Sequence, residues 1–420
     1  MAQPNGTVVN GSLETQQQGE RSVLQISEQG DIVLRINHSA VDAKTPVVAF
    51  KVSSGILKTK SKYFERLLEV GRFGEGEAIA ARHADLRKNH ETLAEVPPAE
   101  LPIINIEDLG RISAVKSIEP LLTDFLSILH GKDLQTSPPV SNLANLAIVA
   151  DRFDALDAVK AYVQRKKLLK ALDAKTQPKT DVSLIEERVR QRLLVALYLD
   201  YPPWTEKYSL RMITKGWVGQ EADLAEPLWW DLPNRVEEEL AFRRSCILAS
   251  IQSLQSHFLT AYASRTRQCR LGYDSSPECD SFQFGEMVRF FLRSGTVALQ
   301  PTIAFTGNPQ ADAEPFDGDI SLLLDKLKHV PEYQVDRNHS HCGIRTRIVP
   351  LLDIIGAAMQ HAGVCGECWA ERRLEHMWLG AKRPLVWRKG KDALLLKAQD
   401  HERRHASVRD FFVAGERDWS

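Results

Sequence analysis

The sequence predicts an α+β protein: an N-terminal domain of short strands and clustered helices, then a mainly α-helical region. Three observations predict this. Ile32, Leu34 and Ile36 alternate along one short run and Val48, Phe50 and Val52 along the next, the period of half-buried strands. Ile56, Leu57, Phe64, Leu67 and Leu68 then recur at helical spacing, so a hairpin leads straight into an amphipathic helix that Ser53 or Ser54 can cap. Beyond residue 182 the apolar residues keep a helical period over most of their length.

Shifts in composition set the organisation of the 420 residues. Residues 1–20 are rich in Gln, Gly, Asn and Ser and read as a disordered tail. Residues 21–170 form the first domain. Within it, 71–100 is long and charged and reads as a solvated insertion. Leu101–Ile106 reads as a third strand, and helices follow around Phe125, over Ser141–Phe153 and over Leu156–Lys167. Residues 171–181, with Thr-Gln-Pro-Lys-Thr, read as a linker. The helical domain spans 182–385. Ile185, Val189, Leu193 and Leu197 mark its first helix, and Trp229-Trp230 an aromatic loop. Asn234 can cap a long helix that carries Val236 to Phe258. Further helices are expected over 282–292, 320–327 and 344–361, the last kinked or begun at Pro350, with a loop at 302–318. Residues 386–420 form a charged C-terminal segment. It alternates Lys/Arg with Asp/Glu from Arg388 to Arg409 and reads as an exposed helix or loose tail.

The order of these elements carries a resemblance. Asp31-Ile-Val-Leu, Phe50-Lys-Val, and Ile56-Leu leading to Tyr63-Phe64-Glu-Arg-Leu67-Leu68 resemble the opening of a BTB/POZ domain. Leu101–Ile106, Phe125-Leu-Ser-Ile-Leu-His-Gly131 and Ser141–Phe153 are similar to its later elements. Where the family often has a His-Lys pair, this chain has Val52-Ser53. The resemblance implies a protein-binding adaptor or scaffold. Its partners would be a second copy of the chain, a cullin-type ubiquitin ligase or a transcriptional complex. An apolar seam of Ile32, Leu34, Leu57, Tyr63 and Phe64 is expected to dock them.

Five of the six cysteines fall after residue 265, close to histidines. Cys365-Gly-Glu-Cys368 is a turn that presents two sulfurs, and His341-Cys342 supplies a second pair, so these four are the expected ligands of a structural zinc. The set requires the helix between the pairs to fold back, because a straight one holds its ends roughly 25–30 Å apart. Alternatively Cys269, Cys279 and Cys342 join His339 or His341 and leave Cys365 and Cys368 apart, or all are reduced cysteines in a helical core. Cys246, on an apolar helix face, reads as a buried small residue. His401 and His405, four apart on a charged stretch, read as a solvated helix face. Gly272–Asp280, His341-Cys342 and Gly363–Cys368 also resemble the region behind BTB domains in filamentous-fungal proteins. That resemblance implies cysteines that act together, and no activity.

Other chemistry finds little support. No Gly-x-Gly-x-x-Gly, Gly-x4-Gly-Lys-Ser/Thr or Gly-x-Ser-x-Gly occurs, and the Cys-x2-Cys…His-x3-His spacing of a DNA-binding finger is absent. A net charge of −1 gives no global pull toward nucleic acid or anionic membrane. No apolar run reaches the roughly 20 residues that cross a bilayer. Six cysteines without a secretory signal point to a reducing intracellular compartment, nuclear or cytoplasmic. The expectation is a non-enzymatic interaction protein. The alternative is a metal-binding regulatory factor or enzyme seated in the Cys/His half.

Overall fold

The computed structural model describes residues 23–37, 47–113, 118–220, 222–223, 225–271, 276–297, 316–382 and 386–420. The expected tail at 1–20 and most of the expected loop at 302–318 lie outside the described residues. The fold is mixed α/β, with 58% helix and 6% strand among the described residues, so helix packing carries most of it. It divides into two compact units. Among the described residues the first takes those up to 109, then 118–134 and 153–155, and the second takes 110–113, 135–152 and 156–420.

The first unit holds β1 (Leu24–Gln25), β2 (Ile32–Ile36), β3 (Val48–Val52), α1 (Ser54–Lys60), α2 (Lys62–Leu67), α3 (Gly74–Leu86), β4 (Ile103–Ile106) and α4 (Glu119–Leu129). The sheet order is β1-β3-β2-β4. Antiparallel β2 and β3 pair Ile32 with Val52, Leu34 with Phe50 and Ile36 with Val48. This is the register the alternation predicts, because it puts every expected core residue on one face. Strand β4 runs parallel to β2. Phe64, Phe125 and Phe153 stack with centroids 5.3 and 5.6 Å apart, and Tyr63 meets Phe153 edge-on at 5.2 Å.

Three expectations for this unit are corrected. Ile32, Leu34, Leu57 and Phe64 are at most 1% exposed, so they form the unit's own core and offer no surface to a partner. Tyr63 is half-buried against that core. The charged stretch 71–100 is not a solvated insertion. Leu86 of α3, with Val96 and Leu101, covers the β2 residue Val33. Lys51 donates to the carbonyls of Ala94 at 2.7 Å and Val96 at 2.9 Å, and His83 bonds the Asp31 carbonyl at 2.8 Å. Its charges lie on the outer face, and its apolar minority does the packing. Neither serine side chain caps α1; Asp31 does so from outside, accepting from the Ser54 amide at 2.7 Å and its hydroxyl at 2.6 Å.

The second unit begins earlier than expected. Helices α5 (Val140–Arg152) and α6 (Leu156–Arg165) belong to it and pack on α9 (Glu186–Leu199). The expected linker is instead α7 (Leu168–Lys175) and α8 (Pro178–Val182), which ends in buried Asp181. Next come α10 (Pro202–Lys215), α11 (Val236–Ala263), α12 (Pro277–Arg293), α13 (Ile320–Lys328), α14 (Arg345–Met359) and α15 (Gly366–His376). Helix α11 contacts α10, α12 and α14. Asn234 and Arg235 both take left-handed backbone at its start, and no side chain caps it. Pro350 lies inside α14.

The C-terminal segment is packed, not loose. It forms β5 (Val386–Arg388), α16 (Lys389–Asp392), α17 (His401–Val413) and β6 (Glu416–Asp418), with β5 and β6 parallel. Trp387 meets Phe411 at a tilt with centroids 4.6 Å apart, Phe412 stacks on Trp378 at 5.5 Å, and the Trp419 indole donates to Ser253 Oγ at 3.1 Å. Four aromatic side chains therefore anchor a stretch whose sequence looks polar, because charge repeats there while the ring positions are few. Among the described residues no helix is long and apolar enough to cross a membrane.

Asp181 accepts from Tyr208 at 2.8 Å, Arg211 at 2.5 Å and Lys207 at 3.2 Å. Burial alone would raise its pKa, but these donors outweigh it and hold the carboxyl below the usual carboxylate range. A lowered native pKa gives stability that is present above the unfolded value, about 3.9, and lost as pH falls through the native one. Asp181→Asn is expected to cost about 1–3 kcal/mol in denaturant unfolding at pH 7. The gap to the parent chain should close progressively below about pH 4.

Candidate metal centre

The described cysteines and histidines gather in two groups, and neither is the expected quartet. Cys365, Cys368, His401 and His405 form one; Cys269, Cys279 and Cys342 form the other. Within each group the ligand atoms lie within 4.8 Å of one another. The expected partners His341 and Cys342 are separated from Cys365 and Cys368 by continuous α14, about 22 Å long at 1.5 Å per residue. His341 is exposed, while Cys342 is buried among the other two cysteines. Cys246 is buried on α11, as its apolar face predicts.

The first group is built at the junction of α15 and α17. Cys365 occupies the N-cap position of α15, its carbonyl taking the Trp369 amide at 2.9 Å, and Cys368 lies in the first turn. This brings both sulfurs to the same end of one helix. His401 opens α17, where the Asp400 side chain caps the helix by accepting from the Arg403 amide at 2.8 Å. His405 follows one turn later on the same face. His401 Nε2 lies 3.4 Å from Cys365 Sγ and 3.3 Å from Cys368 Sγ, and the two imidazole centroids are 4.4 Å apart.

The loop into Cys365 is fixed from behind. Arg243 of α11 donates to the carbonyls of Ala362 at 3.0 Å, Gly363 at 2.8 Å and His376 at 3.3 Å. Its charge is met by Glu239 at 2.7 Å, whose oxygens also accept from the Trp378 and Leu379 amides. Ser209 Oγ accepts from the Val364 amide at 2.7 Å. Gly363 and Gly366 are required by contact: a Cβ on the first would lie 2.5 Å from the Glu206 carbonyl oxygen, and on the second 2.5 Å from Pro202 Cα. Gly366, between the two cysteines, lets α15 approach Pro202 of α10.

Electrostatics favour a bound cation. Burial and the neighbouring Cys365 push the Cys368 thiol up to about 12, because two thiolates side by side repel. Burial, His401 and nearby Arg404, Arg243 and His361 push His405 down to about 4, which leaves a neutral imidazole with a free lone pair. Two sulfurs and two imidazoles can hold a metal ion. The recess against them has a volume of ≈ 20 Å³, room for one water.

The sequence held a signal for His401 and His405. Cys-x2-Cys precedes His-x3-His in chain order, but the stretch between them far exceeds the dozen residues of a nucleic-acid finger. A thioredoxin-type redox use of Cys365 and Cys368 would need a strand before the first cysteine; a helix does start at Cys365, but the element before it is α14.

Gly366→Ala tests the fit of this loop. Alanine is ordinarily favoured over glycine in a helix by about 1 kcal/mol. Here the added Cβ meets backbone, so the expected result is a loss of about 1–3 kcal/mol in thermal or denaturant unfolding.

Comparison with family models, curated proteins and solved structures returned no match to this chain.

Proposed function

We propose that this chain is a zinc-stapled, protein-binding scaffold, with a BTB/POZ-like first unit and a helical second unit closed by zinc at Cys365, Cys368, His401 and His405. The observation that carries the reading is the complete ligand set at the α15–α17 junction. A tetrahedral ion with Zn–S of about 2.3 Å and Zn–N of about 2.0–2.1 Å has S···N edges of about 3.5 Å. The two sulfur–imidazole distances, 3.4 and 3.3 Å, fit that edge. Four protein ligands leave no position for a reacting water, which supports a structural ion over a catalytic one. Among hard and soft ions, thiolate with imidazole selects zinc.

Support for the first unit comes from element order. A hairpin, two short helices, a strand parallel to β2 and a further helix follow one another as the resemblance implies. Any docking surface has to lie outside the core residues Ile32, Leu34, Leu57 and Phe64. The partners we assign are proteins: a second copy of the chain or a cullin-type ligase, in the nucleus or cytoplasm. Direct nucleic-acid binding is disfavoured by the charge balance.

Two measurements test the reading. Elemental analysis of the full-length chain should find zinc bound stoichiometrically, and Cys368→Ser should lower both zinc content and melting temperature. Zinc-free protein with an unchanged melting curve ends the staple. Light scattering on the full chain at tens of micromolar should give twice the chain mass. A monomer removes self-association, and no binding to purified cullin removes the ligase branch.

A further inference from the structure

We propose that the chain holds a second structural zinc, bound by Cys269, Cys279, Cys342 and His339, with Asp336 orienting the imidazole. This centre shares no ligand with the first and does not depend on it. Its sulfurs come from three separated stretches. Cys269 follows the end of α11, Cys279 lies in the first turn of α12, and Cys342 precedes α14. Chain proximity alone does not bring them together, so the fold does.

Cys269 Sγ and Cys342 Sγ are 3.8 Å apart. That is far beyond the roughly 2.05 Å of a disulfide. It matches the S···S edge, about 3.8 Å, of a tetrahedron built on Zn–S bonds of about 2.3 Å. Cys279 is 0% exposed. The three sulfurs all lie within 4.8 Å of one another. The Arg270 amide donates to Cys342 Sγ at 3.3 Å.

His339 supplies an independent observation. Its side chain is buried, and its Nδ1 lies 2.8 Å from Asp336 Oδ1. The same Asp336 oxygen accepts from the amides of Asn338 at 2.8 Å and His339 at 3.3 Å, so the carboxylate is itself held in place. Nε2, on the opposite side of the ring, is buried and has no hydrogen-bond partner. A buried nitrogen with no partner is costly unless something takes its lone pair. The ring sits within interaction range of Cys269. A carboxylate that accepts Nδ1–H and leaves Nε2 to a metal is the common outer-shell arrangement of zinc histidines. His339 stands outside the 4.8 Å cluster of the three sulfurs; as the fourth ligand it would complete a set of three sulfurs and one nitrogen, a structural type. His341, exposed, is not part of it.

The test uses the full-length chain and reads each centre separately. Elemental analysis should find two zinc ions per chain, one after Cys279→Ser, one after Cys368→Ser and none after both. With Cys368→Ser emptying the first centre, cobalt substitution should give a tetrahedral spectrum whose charge-transfer intensity corresponds to three thiolates. Asp336→Asn keeps every ligand and should weaken the remaining zinc about 10–100-fold in chelator competition. A zinc retained by Cys368→Ser and lost with Cys279→Ser supports the second centre whatever becomes of the first. A wild-type content of one zinc that Cys279→Ser leaves in place overturns the proposal. Unchanged zinc affinity and cobalt spectrum in His339→Ala overturn the assignment of the fourth ligand.

Discussion

The buried ion pair between Arg243 and Glu239 is the interaction on which the helical unit turns. The two sit one helical turn apart on α11, with side chains 4% and 0% exposed. A charge pair so far from water is tolerated only when its remaining donors and acceptors are met. Here they are met by three carbonyls and two amides that flank α15 on both sides. The guanidinium also lies 4.7 Å from the Trp378 ring centroid. One ion pair therefore holds the chain on both sides of α15, including the loop that leads into Cys365.

Legibility of the fold divides along physical lines. Strong periodicity was readable: the buried faces of β2 and β3 follow from alternation, and α9, α11 and α14 from their apolar spacing. Charged stretches were misread. Residues 71–100 and 386–420 each contain a few apolar side chains, Ile79, Leu86 and Val96 in one, Trp387, Phe411 and Trp419 in the other, that decide their packing. Composition averages them away. Burial could not be read either. Alternating apolar residues predict a covered face, but a covered face satisfied within one chain looks the same in sequence as one awaiting a partner, and Ile32, Leu34, Leu57 and Phe64 proved to be the former.

The metal ligands show a similar split. Cysteines at 269, 279, 342, 365 and 368 were visible as a group, yet their partition was set by α14, whose length keeps Cys342 away from Cys365. The charge around His401 and His405 masked the fact that they face inward, and their order after Cys-x2-Cys was the one trace of it. Only the capped start of α17 and the aromatic anchors beyond it turn His401 and His405 toward the sulfurs. The ligands all lie at helix ends or in the loops between helices, where apolar contact is thinnest and a point crosslink adds most.

The placement of His401 and His405 so late in the chain bears on synthesis. A ribosome delivers every helix from α5 to α15 before it delivers these two imidazoles. Until they emerge, the sulfurs at Cys365 and Cys368 have no nitrogen partners. Under the zinc staple proposed above, a product cut short before residue 401 would carry most of the helices without their crosslink and would be exposed to the proteases that clear incomplete chains.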